Sequence, residues 1–478
     1  MQSRQTNLAR QTNPDWSALL PVTLPAGPYR LVLYRALREL IETRRLSPGS
    51  RLPPTRDLAV RLGIARGAAV AAYEMLVADG FAEARVGAGT RVAADVPALT
   101  PEPPPALPAE RPPERPLPGT LGLTLEDPRT MRIFRRLVTH HLARPDPRLF
   151  AYGDPRGDRE LRAAIADYLA LARGVRCTPE RILLTAGTQQ GLDLVLRALL
   201  SPGDAVWMED PCYQMALRAL RGAGLTVCPV PVDTEGLDVA AGIARAPAAR
   251  AAYVTPSHQF PTGVVLTLRR RLALADWAAR TGAWIIEDDY DSEFRHAGAP
   301  LTSLQGISAA DRVIYLGSFS KILFPGLRLG YLVLPAALVE PVTALRARVD
   351  RFPPSLLEPA MTEFLAAGHL SAHLRRARRT ALAARDALVA GLAEAGLSVR
   401  PPDQGLHLIA GLPEGVSDRA ALPVLHAAGL GARALSEFCI ETPARSGLVI
   451  GFGGVTAATL TEITRRLAGT DWRTLPAG

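Results

Sequence analysis

The stretch GSFSKILFPGLRLGY, residues 317–331, is the most informative part of this 478-residue chain. It follows the apolar run Arg312–Leu316, which is typical of a buried strand, so Lys321 lies just beyond a strand end. Lys321 is the single lysine of the chain, because every other member of the Lys and Arg total is arginine. Arginine stays protonated, whereas a lysine can lose its proton and form a Schiff base. The position and uniqueness of Lys321 therefore indicate a chemical use for its amine.

Apolar runs of strand length alternate with helical segments on both sides of this stretch. These runs are Arg181–Leu184, Ala205–Met208, Ala251–Val254, Trp284–Glu287, Arg312–Leu316 and Tyr331–Leu334. Such alternation predicts an α/β domain with a mainly parallel sheet and helices on both faces. Sheets of this kind bind their ligands at the carboxyl ends of the strands.

Polar motifs follow three more of the predicted strands. The loop Thr185–Gly191 (TAGTQQG) leads into a helix, whose first N–H groups could bind a phosphate. The segment Asp288–Asp291 (DDYD) could supply a carboxylate for a protonated pyridine nitrogen, and Tyr213 could stack on a ring. Each loop is ordinary when taken alone. Together with the single lysine, they predict a pyridoxal 5'-phosphate site.

A second, smaller domain is predicted before residue 97. Helical patterns over Tyr29–Arg45, Arg56–Leu62 and residues 66–79 are followed by two short strands within Phe81–Val92. This order is typical of a winged helix-turn-helix, whose third helix enters the major groove of DNA.

The third helix is predicted to turn Val70, Tyr73 and Val77 toward the core. Residues 1–96 contain 13 arginines against 8 acidic residues. This positive excess favours a polyanionic partner.

A proline-rich segment separates the two domains. Residues 97–118 hold ten prolines, which lack the N–H of a helix or ladder and favour an extended spacer. We therefore divide the chain into a tail (1–27), a winged helix-turn-helix (28–94), a linker (95–119) and an α/β effector domain (120–478).

Composition excludes several other classes of protein. The N-terminus lacks an apolar signal sequence, and no run of 18 apolar residues occurs. The four cysteines contain no CxxC pair, so neither a disulfide framework nor a cysteine metal site is expected. We expect a cytoplasmic protein without a membrane span or a metal.

Residues 46–92, LSPGSRLPPTRDLAVRLGIARGAAVAAYEMLVADGFAEARVGAGTRV, resemble the GntR type of DNA-binding domain. The resemblance implies binding to a double-stranded DNA operator, with Arg56 and Arg66 in contact with DNA and Arg85 and Thr90 near the wing. The hydroxyl residues usual around Arg66 are absent here, which makes recognition depend more on arginine.

Residues 120–478 resemble a fold-type I, aspartate-aminotransferase-like domain. The motifs are YVTPSHQFPTG (253–263), IIEDDYDSEF (285–294) and GSFSKILFPGLRLGY. With the GntR-type domain, the whole chain resembles a MocR/GabR-type transcriptional regulator.

This resemblance implies a role for each residue of the site. Lys321 would form the internal aldimine, Asp288 would pair with the pyridine nitrogen, Tyr290 with the 3-oxygen, and Tyr213 would stack on the ring. The phosphate would be held by Gly187, Thr188, Gln189, Ser318 and Arg328. Choosing Asp288 over Asp289 rests on alignment alone.

Three departures concern the ligand. Aminotransferases carry asparagine where this chain has Phe260, and a substrate-binding arginine where it has Val449, with Arg445 nearby. GABA-responsive relatives carry arginine at the position of Met215. We therefore expect neither efficient transamination nor GABA as the effector, although the sequence leaves residual turnover open.

We expect a pyridoxal-phosphate-dependent regulator that senses a small amine, an amino acid or the cofactor itself. The resemblance implies a homodimer, arranged head to tail. The alternative is a true aminotransferase with an accessory winged helix. A scaffold that has lost its cofactor is disfavoured by Lys321, Asp288 and Arg328.

Overall fold

A computed structural model gives the fold. It describes residues 25, 27–85, 89–96, 115–441 and 446–476. The chain divides into two units, Met1–Pro113 and Glu114–Gly478, and the division falls inside the predicted linker. Most of that linker, the predicted tail and the wing turn at Gly87 lie outside the described residues.

In its described residues, the N-terminal unit has three helices followed by a hairpin. Its elements are α1 (Tyr29–Glu42), α2 (Thr55–Leu62), α3 (Arg66–Ala78), β1 (Ala82–Arg85) and β2 (Gly89–Val92). The strands β1 and β2 pair antiparallel as a wing. Leu33, Leu37 and Ile41 lie on one face of α1 and are buried in the core of the unit. The predicted winged helix-turn-helix is thus confirmed.

The buried face of α3 differs from the prediction. Val77, expected in the core, is 37% exposed, while Ala69, Ala72 and Leu76 are buried with Tyr73. Alanine is small, so this face of α3 can approach the rest of the core closely. A prediction from hydrophobicity favours Val70 and Val77 over the smaller alanines, and it therefore places the buried face of α3 wrongly.

The C-terminal unit is an α/β domain. Its helices are α4 (Pro128–Ala143), α5 (Arg159–Arg173), α6 (Thr188–Leu199), α7 (Gln214–Gly222), α8 (Val239–Arg245), α9 (Leu268–Thr281), α10 (Leu304–Ile307), α11 (Ala336–Val349), α12 (Glu358–Ala366), α13 (His369–Glu394), α14 (Asp418–Ala428) and α15 (Ala457–Arg465). Its strands are β3 (Ile182–Thr185), β4 (Ala205–Asp210), β5 (Thr226–Asp233), β6 (Gly236–Leu237), β7 (Ala251–Val254), β8 (Trp284–Asp289), β9 (Val313–Ser318), β10 (Gly330–Val333), β11 (Ser398–Val399), β12 (His407–Gly411), β13 (Arg433–Ala434) and β14 (Leu448–Gly451).

The large sheet has the strand order β3-β10-β9-β8-β7-β4-β5-β6. The strands from β9 to β5 in this order are parallel, whereas β10 is antiparallel to both of its neighbours and β6 to β5. Every residue of β3, β7, β9 and β10 is buried, as expected for a sheet covered on both faces. The mainly parallel sheet is confirmed.

A smaller antiparallel sheet, in the order β11-β12-β14-β13, completes this unit. Buried leucines and isoleucines of α13, β12, β14 and α15 share one core. Because β3, β4, β8 and β9 all end at the same edge of the large sheet, the polar loops of the sequence meet there. None of the helices in the described part of the chain is both long and apolar enough to cross a membrane.

Candidate functional site

A cavity of about 540 Å³ lies at this edge of the large sheet. All nine residues that the sequence assigns to the cofactor line it. They are Lys321, Asp288, Tyr290, Tyr213, Gly187, Thr188, Gln189, Ser318 and Arg328. The structure therefore brings together side chains that are up to 141 positions apart, from Gly187 to Arg328.

Lys321 lies three residues after the end of β9, and its amine is close to the backbone of Gly122. A Cβ on Gly122, whose φ is +89°, would lie 2.6 Å from Nζ of Lys321. Burial lowers the pKa of the Lys321 amine, while the charges of Asp291 and Asp288 oppose this. A lowered pKa raises the fraction of neutral amine, the form that attacks a carbonyl group.

Asp288 is a buried carboxylate whose two oxygens have different surroundings. Its Oδ2 accepts a hydrogen bond from the Tyr253 hydroxyl at 2.5 Å. Its Oδ1 is buried and has no hydrogen-bond partner among the described residues. Burial raises the pKa of Asp288 to about 6, although the Tyr253 hydrogen bond offsets part of the rise. A protonated ring nitrogen would satisfy the free oxygen and favour the ionised carboxylate.

Asp289 has a different environment. Its Oδ2 accepts hydrogen bonds from Arg173 at 2.7 Å and from the Tyr315 hydroxyl at 2.5 Å. Asp289 does not line the cavity, because adjacent residues of a strand point to opposite faces. The carboxylate of Asp289 therefore already has hydrogen-bond partners in the protein. This geometry favours Asp288 as the residue that faces a ligand.

The loop before α6 and the segment after β9 form an anion cradle. Gly187 caps α6 with φ +105° and without a side-chain cap, and the start of the helix, Gly187 to Gln189, lines the cavity. Arg328, in the left-handed conformation with φ 49°, donates a hydrogen bond to the carbonyl of Ala186. A Cβ on Gly187 would lie 3.2 Å from the guanidinium of Arg328. The cradle combines a helix N-terminus with a cation, which suits a phosphate.

Aromatic rings form another wall of the cavity. Phe260 packs edge-to-face against Tyr213 at 5.6 Å and against Tyr290 at 6.1 Å. The Tyr290 hydroxyl donates to the carbonyl of His258 at 3.0 Å and lies 3.0 Å from its Nδ1. Phe260 thus gives an apolar surface at the position where aminotransferases carry asparagine.

His258, Asp291 and His407 bring potential metal ligands close together in the described part of the chain. Protein hydrogen bonds already use the Asp291 carboxylate and one ring nitrogen of each histidine, whereas the buried Nε2 of His258 has no partner among the described residues. The Nδ1 of His258 lies 3.0 Å from Asp291, and His407 donates from Nε2 to the carbonyl of Pro261 at 3.0 Å. Burial lowers the pKa of His407 to about 3, so its ring is neutral near pH 7.

The positions linked to substrate binding are apolar. Val449 is completely buried against Leu435 and Phe438 and does not line the cavity. Met215 lines the cavity and is 42% exposed. Arg445 lies outside the described residues.

In the N-terminal unit, the predicted DNA contacts lie on α2, α3 and the wing. Arg56 belongs to α2 and Arg66 begins α3, and both are exposed. Arg85, exposed at the end of β1, lies 3.4 Å from Glu83, while Thr90 is half-buried on β2. Ala65 caps α3 without a side-chain hydrogen bond, consistent with the missing hydroxyls.

Several residues that line the cavity were not predicted from the sequence. Among them, Tyr253, Gly122 and His407 reach it through tertiary packing rather than from a polar motif of their own. The tyrosine in the apolar run of β7 was the one available signal, because a hydroxyl in a buried strand needs a partner.

A winged helix joined to an aminotransferase fold with this cavity defines a class of cofactor-dependent transcriptional regulators. Residues 30–92 match the model described as "Bacterial regulatory proteins, gntR family", and residues 128–467 match "Aminotransferase class I and II". The chain belongs to the gntR family, in the MocR group whose second domain is of the aminotransferase class.

Similar proteins support this assignment along most of the chain. The probable rhizopine catabolism regulatory protein MocR of Rhizobium meliloti is 34% identical, over 91% of this chain and 92% of the relative. The pyridoxine biosynthesis transcriptional regulator PdxR of Corynebacterium glutamicum is 33% identical, over 91% and 94%. The α-aminoadipate aminotransferase LysN of Thermus thermophilus is 28% identical, with a TM-score of 0.66 over 74% of this chain and 91% of that structure.

Pyridoxal phosphate is the cofactor of this domain, and the residues present fit it. The cavity offers a half-buried amine on Lys321, a carboxylate oxygen on Asp288 that lacks a partner among the described residues, and an anion cradle around Arg328. When bound, the cofactor supplies a carbonyl group for amines and an electron-withdrawing ring.

Proposed function

We propose that this regulator senses a small ligand through the cofactor cavity and relays its presence to operator DNA. The observation that carries the proposal is a combination. All the residues assigned to the cofactor line the cavity, whereas the position that binds the substrate in aminotransferases is altered. Lys321 and Asp288 line the cavity, whereas Val449 is packed in the core. Such a site can bind an amine, an amino acid or the cofactor itself without efficient transamination.

The proposed roles follow the contacts of each residue. Lys321 holds the cofactor covalently, and Asp288 pairs with its pyridine nitrogen through the free Oδ1. Tyr290 lies beside the ring's 3-oxygen, and Tyr213 stacks on the ring. The phosphate is held by Gly187, Thr188, Gln189, Ser318 and Arg328.

On the DNA side, Arg56 and Arg66 contact the operator, and Arg85 and Thr90 act at the wing. Exposed arginine at the start of a recognition helix can donate bidentate hydrogen bonds to guanine. This role places the protein in the cytoplasm, with double-stranded DNA as its partner.

We also propose a homodimer, arranged head to tail. Phe150 and Tyr152 support it, because they are 80% and 76% exposed. Large exposed aromatic groups commonly mark an interaction surface. Light scattering on the purified protein measures the dimer, and replacing Phe150 and Tyr152 by serine should yield monomers.

Two measurements test the function. Purified protein should be yellow, and an amine effector should change both its visible spectrum and its footprint on operator DNA. The alternative, an aminotransferase, predicts amino-group transfer to 2-oxoglutarate at ordinary enzyme turnover. Such turnover with an unchanged footprint would refute the sensor proposal.

A further inference from the structure

The first two turns of α3 are apolar on the side that faces away from the core. The buried face of this helix consists of Ala69, Ala72, Tyr73 and Leu76. With 3.6 residues per turn, the positions turned away from that face are Gly67, Val70 and Ala71. Gly67 is exposed, and the other two are half-buried. This part of α3 therefore offers small apolar groups to a partner.

These two turns contain a single side chain that can form hydrogen bonds. Residues 66–72 read RGAAVAA, and only Arg66 among them carries a polar group. Recognition helices contact base edges with their N-terminal residues. In the major groove, the bases present hydrogen-bonding groups and, on thymine, a C5-methyl group. Arg66 can read the first kind of feature, whereas Val70 and Ala71 can respond only to the second.

Gly67 is a glycine that the fold of the N-terminal unit does not require. Its φ is outside the left-handed region, and a Cβ added there would meet no atom of the described residues within 4 Å. Glycine also weakens a helix relative to alanine. The absent side chain instead leaves room for a partner surface to come close to the backbone of α3.

Charges around this apolar strip favour DNA as the partner. Arg56 and Arg61 on α2 are exposed, as is Arg66 at the start of α3. Phosphates line both sides of the major groove, so arginines that flank an apolar strip complement it. Glu74, exposed one turn after Val70, ends the strip, because a carboxylate is repelled by phosphates.

We infer that Val70 and Ala71 recognise the C5-methyl groups of thymines in the operator, beside the base that Arg66 contacts. This inference rests on the proposed function, because the contact of Arg66 with DNA would bring α3 into the groove. It adds the two residues that determine specificity and the base that they require. Burial of one methyl group changes affinity by about fourfold.

The test uses the cofactor-bound full chain and a library of duplexes with a random central region. Affinities for selected duplexes are measured by fluorescence anisotropy at one salt concentration, because phosphate contacts depend on salt. Single thymines are then replaced by deoxyuridine, which removes only the C5-methyl group. We expect at least one replacement to weaken binding about fourfold.

Variants of α3 assign this preference to its residues. Val70→Ala and Ala71→Gly together should remove the preference for thymine over deoxyuridine. Val77→Ala is the matched control, since this valine is 37% exposed on the last turn of α3, away from the N-terminal residues that enter the groove. Gly67→Leu should fold, because it enters open space and leucine favours helices, yet it should bind selected duplexes as weakly as random DNA.

Three results would overturn the inference and leave the proposed function standing. Selected duplexes could bind tightly while every deoxyuridine replacement has no effect. The preference could persist in the Val70→Ala, Ala71→Gly double variant, or Gly67→Leu could bind selected duplexes normally. If the wild-type chain binds selected duplexes no more tightly than random DNA, the proposed operator contact fails, and the inference fails with it.

Discussion

Replacing Asp288 by asparagine should make the cofactor-free protein more stable and the cofactor less tightly bound. Asparagine keeps the shape of the side chain, and its carbonyl can accept the Tyr253 hydrogen bond that Oδ2 accepts now. What the variant loses is the negative charge on a buried oxygen that has no partner among the described residues. Opposite effects on stability and binding are expected for a group that serves a ligand.

The size of the stability effect follows from the pKa. Burial raises the pKa of Asp288 from 3.8 to about 6, and one pKa unit corresponds to about 1.4 kcal/mol. Because the pKa of Asp288 is higher in the folded than in the unfolded protein, its ionisation above pH 6 lowers the free energy of unfolding by about 3 kcal/mol. This loss of stability shrinks to about half at pH 5 and is absent well below pH 4. The asparagine variant should gain these amounts.

Urea unfolding of the cofactor-free protein measures this gain. Tryptophan fluorescence reports mainly on the C-terminal unit, because four of the five tryptophans lie there: Trp207, Trp277, Trp284 and Trp472. Asp276→Asn is the control, since that carboxylate is exposed in an i,i+4 pair and should change stability by less than about 1 kcal/mol.

Cofactor affinity is measured by equilibrium dialysis on the same samples. Loss of a charge-assisted hydrogen bond, about 1.5–3 kcal/mol, should weaken binding roughly 10- to 100-fold. If the variant is less stable than the wild type at pH 7.5, or binds the cofactor equally well, Asp288 is not an unpaired carboxylate reserved for the ring.

Three further changes test the other parts of the site. Lys321→Ala should abolish the visible band and the ligand response, and borohydride should label the wild type only in the peptide that contains Lys321; labelling of the variant's other peptides would contradict this. Arg66→Ala should weaken operator binding in gel-shift assays by about 1–3 kcal/mol without changing the visible spectrum, whereas Arg35→Ala, on exposed α1 surface, should not. Gly122→Ala places a Cβ 2.6 Å from Nζ of Lys321 and should impair cofactor capture. Gly203→Ala, also at positive φ but with no atom within 4 Å, should bind the cofactor normally.

The architecture could be predicted from the sequence because its signals are local. Buried parallel strands read as short apolar runs, and the winged helix follows from three amphipathic segments and a hairpin. The buried face of α3 was mispredicted because its choice depends on interhelical distance. Ala69 and Ala72 allow a close approach there, which hydrophobicity alone does not reveal.

At the site, motif residues could be predicted because each follows a strand end, and strand ends meet at one edge of the sheet. The choice of Asp288 over Asp289 rested on alignment alone, since both end the same strand and only the alternation of the pleat separates them. Gly122 and Tyr253 also escaped prediction. Their significance comes from distances to Lys321 and Asp288 that no local pattern encodes.

The physical chemistry of the cavity explains why the cofactor-binding residues are retained while a substrate-binding position is altered. Asp288 holds a buried oxygen without a hydrogen-bond partner in the described part of the chain, and Arg328 adopts a left-handed backbone conformation that a non-glycine residue rarely adopts. Both features oppose folding, and a bound phosphate and ring nitrogen would offset them. At Val449 the opposite holds, because complete burial against Phe438 stabilises the fold and removes that position from the ligand. A chain with both properties retains the groups that capture an amine, while the position expected to orient an aminotransferase substrate belongs to the core. That division of roles is what a sensor requires, since sensing depends on differential binding rather than on turnover.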